Sequence, residues 1–337
     1  MRHSLWQLDP AAYQASVMHS SARTFPETNC YVDVCIELLH AAGHNPASLM
    51  AFPLTIDFEG DQWTFFKPRA EEMERLYGID IHEMQLYRPT VDHVVEQLRH
   101  GRTLIIEVDS HYLPDTAATS YRRGHVKTSI AIEAIDPTDE KLRYFHGPGY
   151  WELSGDDYRG VFRLGREFSA DVLPPYVELV RFDAGPRLSG DGLRQAALTM
   201  LQLEMSRRPR RNPWLTFGER LRQDLPGLLA GTEDGYHAYA FATVRQCGAA
   251  FDAARSFVEW LYPGAEPHPA ALTLGRQVDG AKALLFKLAR RRPFDPGPAL
   301  ESLAMAWEET FQALTARVSL GPGAPTMLII PEHHAGA

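Results

Sequence analysis

The segment that most constrains the fold is HVKTSIAIEAI (125–135), in which apolar side chains recur at every second position. That spacing is the period of a half-buried β-strand. Turn-forming residues at 136–139 follow it, and KLRYFH (141–146) then has strand character again. The sequence therefore predicts a β-hairpin over these two segments, as part of an antiparallel sheet.

Strand character is confined to the N-terminal half of the chain. TLIIEVD (103–109) and YVELVRFD (176–183) are further candidate strands, whereas apolar residues beyond about residue 190 recur at the three- and four-residue spacings of amphipathic helices. Gly and Pro residues cluster between 183 and 192. We therefore predict an α+β domain over 1–185 and an all-α helical domain over 186–337. The candidate helices of the second domain span 189–206, 213–230, 236–262, 269–291 and 297–318.

Composition narrows the classes of function. The 337 residues carry a formal net charge of −9, whereas a general nucleic-acid binder needs a basic surface for the phosphates. No apolar run approaches the roughly 18 residues that span a bilayer, and the N-terminus lacks the apolar core of a signal peptide. We expect a cytoplasmic protein that binds neither nucleic acid nor membrane.

The three cysteines are too few for a disulfide framework, and their spacing is not that of a zinc site. We therefore expect no metal. Cys30 falls in the first turn of a helix predicted within 26–43, which Asn29 or Thr28 can cap and Gly43 can end. Free backbone N–H groups there favour a thiolate and can also hold an oxyanion. Cys30 is the candidate nucleophile, while the other two cysteines are predicted to be core. The alternative is that Cys30, too, is a small buried side chain.

A thiol nucleophile needs a histidine within hydrogen-bond reach. His125 starts the alternating strand directly after the polar loop 110–124, a common place for catalytic residues. His111, in the same loop, is the alternative. Asp109 ends the preceding strand, so antiparallel pairing would put Asp109 beside His125, and we predict that it orients the imidazole. The alternative for Asp109 is a loop hydrogen-bonding role. His146, which the hairpin brings back toward His125, is a second candidate partner.

Several long segments of the chain are chemically distinctive. They are Asn29–Gly43, DFEGDQWTFFK (57–67), EVDSHYLPDT (107–116), YRRGHVKTSIAI (121–132), YFHGPGYWEL (144–153) and YHAYAFATVRQCGAAF (236–251). With these segments the chain resembles the bacterial domain-of-unknown-function family 1839 over nearly its whole length. Genes of that family lie beside amino acid:carrier-protein ligases and small carrier proteins.

The order of Cys30, a long insert, VDSHYLP (108–114), Tyr121 and His125 is also distantly similar to that of the butirosin-type acyltransferases. This resemblance implies a papain-like domain in which Cys30 accepts an acyl group and His125 is the base. It implies transfer of an aminoacyl group from the phosphopantetheine thioester of a carrier protein to an amine or thiol acceptor. No cofactor would be bound by the chain itself. The sequence departs from the pattern at 141–153, which lacks the Asn or Asp that usually orients the histidine.

The resemblance also suggests pocket residues and a docking surface. We expect Asn29, Tyr121 and the segment 57–67 near Cys30, with Trp63 of that segment in the core or in the pocket wall. Carrier proteins are acidic, so a basic cluster could dock them, the alternative being a solvated helix end. The cluster consists of Arg207, Arg208, Arg210 and Arg211. Two other functions remain open, namely a cysteine hydrolase and a non-catalytic module that binds the loaded carrier protein.

Overall fold

Within residues 1–318, the part of the chain that the computed structural model describes, seven strands form one antiparallel sheet. The strands are β1 His3–Ser4, β2 Asp80–Glu83, β3 Thr103–Asp109, β4 Lys127–Asp136, β5 Lys141–His146, β6 Gly149–Ser154 and β7 Val177–Arg181. Their order is β2-β7-β3-β4-β5-β6, and β1 pairs with β4. The predicted hairpin is thus confirmed as β4 and β5, and the two further candidate strands are β3 and β7.

The pairing of β3 with β4 sets the geometry of the candidate site. Glu107 lies opposite Ser129, and Asp109 lies opposite Lys127. Directly opposed residues of an antiparallel pair point to the same face of the sheet. One face therefore presents these four polar side chains near the end of β3.

Helices cover both faces of this sheet. They are α1 Cys30–Ala41, α2 Ala70–Tyr77, α3 Thr90–Arg99 and α4 Asp156–Val161. Helix α1 packs on the face that carries Ile105 and Ala131, with its apolar residues in the same core. The opposite face, with Ile106 and Ile130, forms a second core with α3 and α4.

The second half of the described chain is helical, which confirms the α+β class with a C-terminal helical region. Its helices are α5 Gly190–Ser206, α6 Pro213–Ala230, α7 Glu233–Ala240, α8 Gln246–Leu261, α9 Pro269–Ala289 and α10 Gly297–Val318. The predicted helix 236–262 is divided, because a π-helical turn at Phe241–Arg245 separates α7 from α8. None of the helices in the described chain is long and apolar enough to cross a membrane. Residues 319–337 of the predicted helical domain lie outside the described residues.

The two halves share one apolar core, and Trp63 is at their junction. Its side chain is 1% exposed, and its ring centroid lies 5.0 Å from that of Trp214 and 6.2 Å from that of Phe251. The expectation that Trp63 lines the pocket of Cys30 is therefore wrong. Its large apolar ring is buried against the helical half, as the alternative core role predicted.

A buried polar network fixes the position of α1. His19 Nδ1 lies 2.5 Å from a Glu37 oxygen, and its Nε2 lies 3.3 Å from Asp33. Glu37 also accepts a hydrogen bond from the Tyr13 hydroxyl, and Asp33 accepts one from the Thr28 hydroxyl. Burial alone lowers the pKa of His19, but the hydrogen bonds with the two carboxylates outweigh it and raise the pKa to about 9. A protonated His19 thus ties the segment before α1 to the helix that begins at Cys30.

Candidate functional site

Cys30 is the first residue of α1, as the capping pattern predicts. Asn29 is the N-cap, and its side-chain oxygen accepts a hydrogen bond of 3.0 Å from the Val32 amide. The side-chain amide of Asn29 donates to the Phe66 carbonyl at 2.9 Å. These two bonds fix the backbone that leads into the helix, so Asn29 positions the thiol by holding the helix start.

The three cysteines have different environments. Cys30 is partly exposed, whereas Cys35 and Cys247 are completely buried. Burial raises the pKa of the Cys35 thiol and of the Cys247 thiol. Both are therefore inert core residues, as predicted, and the accessible thiol among the three is that of Cys30. Its sulfur is 3.8 Å from the Ser129 hydroxyl.

A small cavity opens at this sulfur, between the start of α1 and strands β3, β4 and β7. Its charged lining consists of two ion pairs, Lys67 with Glu178 and Lys127 with Glu107, each with an N···O distance of 2.7 Å. The exposed ring of Phe65 and that of Tyr176 also line the cavity. The site therefore combines a thiol, fixed charges and apolar walls.

Asp109 and His125 meet at the end of β3, as the predicted strand pairing requires. Asp109 Oδ2 is 2.5 Å from His125 Nδ1, so the carboxylate can hold that ring nitrogen as the donor. The His111 ring stacks on the His125 ring at 4.5 Å. The His125 side chain is 70% exposed. The contact is as expected, while a catalytic role for the pair stays a prediction.

The expected contact between His125 and Cys30 is not made. Four residues separate His125 from Ser129, which is about 13 Å along an extended chain, and Ser129 is the residue that contacts the sulfur. His125 lines an adjoining groove, which shares Glu107, Lys127 and Tyr176 with the cavity of Cys30. The thiol and the imidazole therefore occupy two neighbouring compartments, and the imidazole is out of hydrogen-bond reach of the thiol.

His146 does not join this site. Its Nδ1 is 2.5 Å from Asp115, and its Nε2 is 2.8 Å from the Thr128 hydroxyl. Thr128 precedes Ser129 on β4, so its side chain lies on the opposite face of the sheet. The expectation that His146 partners His125 or a cysteine site is therefore wrong, because strand alternation turns it to the other core.

Tyr121 also lies away from Cys30. Its hydroxyl donates to Asp157 at 3.0 Å, and Asp157 belongs to α4, which covers the opposite face of the sheet. The loop 110–124 folds onto that face rather than over the thiol. The expectation that Tyr121 is a pocket residue of the cysteine site is thus wrong.

The predicted docking cluster is exposed, and two of its four arginines pair with carboxylates. All four arginines, at 207, 208, 210 and 211, are exposed. Three of them have contacts within the chain: Arg207 with Glu204 and Glu71, Arg208 over the Phe311 ring, and Arg211 with Glu219. The basic charge that this cluster offers to a partner is smaller than the sequence alone suggests.

Sequence reasoning missed most residues that surround the sulfur. Lys127 and Ser129 could have been predicted, because the alternating pattern puts them on the same face as His125. Glu107 follows from the same pairing that predicted Asp109. Phe65 and Lys67 belong to the segment 57–67, which the resemblance led us to expect near Cys30, whereas no pattern in the sequence links Tyr176 to Cys30.

The described residues include no group of three or more His, Cys, Asp or Glu side chains placed to hold a metal ion. Fold and site together define an α+β protein with an accessible cysteine at a helix N-terminus and a helical second half. The chain belongs to the DUF1839 family, because it matches the DUF1839 N-terminal domain over residues 14–182 and the DUF1839 C-terminal domain over residues 190–316. The boundary predicted after residue 185 falls between these two matches. No curated protein matches the chain.

Proposed function

We propose that the protein is an acyl- or aminoacyltransferase that carries its acyl group on Cys30. The observation that supports this most is the accessible thiol at the first position of α1, beside a cavity with charged walls. Free N–H groups at a helix N-terminus stabilise both a thiolate and the oxyanion of an acyl intermediate. The donor we propose is the phosphopantetheine thioester of a carrier protein, and the chain itself would bind no cofactor.

The first step is a thioester exchange. The Cys30 thiolate attacks the carbonyl carbon, and the new carbon–sulfur bond forms while the oxygen takes up the negative charge. The intermediate then collapses with loss of pantetheine as a thiolate, which takes up a proton equivalent to the one that Cys30 released. Attacking and leaving thiols are alike, so the step needs little driving force.

The second step transfers the acyl group to an amine or thiol acceptor. The acceptor attacks the thioester carbon, loses its proton, and releases Cys30. In this proposal the acceptor enters through the groove that His125 lines, where Asp109 holds the imidazole. Because the attacking nitrogen or sulfur reaches the thioester carbon at Cys30, the departing Cys30 thiolate takes up its proton.

The proposal also assigns a partner and a location. An acidic carrier protein would dock near the arginines at 207–211, although their internal contacts limit the attraction. We place the protein in the cytoplasm, where reducing conditions keep a reactive thiol free.

One observation favours a second candidate, a non-catalytic module that binds the loaded carrier protein. The side chain that contacts the sulfur is the Ser129 hydroxyl, which is a poor base, rather than an imidazole. A cysteine hydrolase is the third candidate, in which water replaces the acceptor.

Incubation with an aminoacylated carrier protein separates the three. Transfer and hydrolysis both give a covalent aminoacyl adduct by intact-mass spectrometry, and both lose it in Cys30→Ala. Formation of an amide or a new thioester with an added amine or thiol then indicates transfer, and release of free amino acid indicates hydrolysis. A stable complex by size-exclusion chromatography, without any adduct or turnover, would overturn the enzymatic proposal.

A further inference from the structure

We infer that the acyl group carried by Cys30 bears a free ammonium group, and that Glu107 binds this ammonium. The inference rests on the proposed function. To the proposed function it adds the chemical class of the acyl group and a residue that determines specificity for that group.

The cavity at Cys30 is closed on its inner side and open on its outer side. Tyr31 and Ile105 are both buried and close the inner side. On the outer side the cavity shares Glu107, Lys127 and Tyr176 with the groove that His125 lines. A group attached to the Cys30 sulfur therefore lies beside Glu107.

Two carboxylates face this cavity, and Glu178 is already fully used. Its oxygens accept hydrogen bonds from Lys67 at 2.7 Å, from the Tyr31 hydroxyl at 2.6 Å and from the Tyr176 hydroxyl at 2.9 Å. The residue is 5% exposed. Glu178 therefore neutralises Lys67 and holds the two tyrosines, and it has little capacity left for a ligand.

Glu107 differs from Glu178 in the two respects that matter for binding. Its Oε1 accepts from Lys127, and no other side chain of the described chain hydrogen-bonds its Oε2. Its side chain is 30% exposed. Glu107 is also the cross-strand partner of Ser129, whose hydroxyl contacts the Cys30 sulfur. A carboxylate oxygen is thus available close to the place where an acyl group would be attached.

An aminoacyl thioester matches this arrangement. Its ammonium nitrogen is three bonds from the sulfur, so a group attached to Cys30 brings that nitrogen to the neighbouring strand. A hydrogen bond between an ammonium and a carboxylate is among the stronger ones in proteins.

The test compares the glycyl and acetyl thioesters of pantetheine on the full-length protein. Intact-mass spectrometry follows the adduct on Cys30, and each rate is divided by the rate of the same thioester with free cysteine. We expect glycyl to exceed acetyl by about tenfold or more. In Glu107→Gln the preference for glycyl over acetyl should fall by about the same factor, and Glu107→Asp should restore part of it.

Glu152→Gln is the matched control, because Glu152 is also a partly exposed sheet carboxylate paired with a cation, Arg143. It should keep the glycyl preference of the wild type. Equal rates for glycyl and acetyl, or a preference that survives in Glu107→Gln, would overturn the inference and leave the acyltransferase proposal intact. Absence of an adduct with every thioester would overturn both. Far-UV circular dichroism checks that each variant is folded.

Discussion

Replacing His19 by glutamine removes the cation from the buried network that holds α1. In the wild-type protein the His19 side chain has no exposed surface, and both ring nitrogens contact carboxylates, Glu37 at 2.5 Å and Asp33 at 3.3 Å. Glutamine is of similar size but carries no charge. The variant therefore leaves two buried carboxylates without their cation, which is strongly destabilising.

The size of this effect follows from the pKa of His19. Contact with Asp33 and Glu37 outweighs the effect of burial and raises it from 6.5 to about 9, and each pKa unit corresponds to about 1.4 kcal/mol. Protonation of His19 therefore contributes about 3 kcal/mol to the free energy of unfolding. Because the folded pKa is the higher one, this contribution is complete below pH 6.5 and is lost as the pH rises through 9.

Urea unfolding followed by circular dichroism between pH 6 and 9 tests the reasoning. The difference in unfolding free energy between wild type and His19→Gln should be largest at pH 6 and should shrink by about 3 kcal/mol toward pH 9. His82→Gln is the control, since His82 is half exposed beside Asp80, and a surface pair of this kind contributes less than about 1 kcal/mol. A constant difference for His19→Gln would refute the assignment of a buried imidazolium.

Three further predictions concern the thiol and its surroundings. Iodoacetamide should label Cys30 in the folded protein and leave Cys35 and Cys247 unlabelled, because both are fully buried; equal labelling in peptide mass spectrometry would contradict the structure. Asn29→Ala should lower the unfolding free energy by about 1–2 kcal/mol and slow labelling of Cys30, because the N-cap hydrogen bond is lost; an unchanged denaturation midpoint would contradict this. His125→Ala should leave the labelling rate of Cys30 unchanged, because the imidazole does not contact the sulfur; a slower rate would mean that the two residues meet in solution.

The fold was largely predictable because periodicity reports local structure. The alternating segment 125–135 predicted β4, and the turn residues at 136–139 predicted that β5 pairs with it. The cap residue Asn29 predicted that Cys30 begins α1. The π-helical turn at Phe241–Arg245 was not predicted, because the apolar residues of the segment 236–262 keep helical spacing through it.

Only the part of the site that is set by the pairing of two neighbouring strands could be predicted from the sequence. Pairing of β3 with β4 brought Asp109 to His125, as the sequence indicated. His125 precedes Ser129 by four residues along the chain. This separation keeps the imidazole of His125 away from the Cys30 sulfur, which Ser129 contacts. Lys67 and Tyr176 reach the cavity through tertiary packing. His146 points to the opposite face of the sheet, and this could be predicted only with the register of β4 and β5 known.

Site-resolved detection of the acyl group on sulfur is the most direct test of the central claim. The protein is mixed with glycyl-loaded carrier protein, digested at mildly acidic pH and sequenced by tandem mass spectrometry. We expect a glycyl mass on Cys30 that neutral hydroxylamine removes, as for any thioester. A glycyl mass on another residue, or unmodified Cys30 peptide after complete consumption of the carrier thioester, would contradict it.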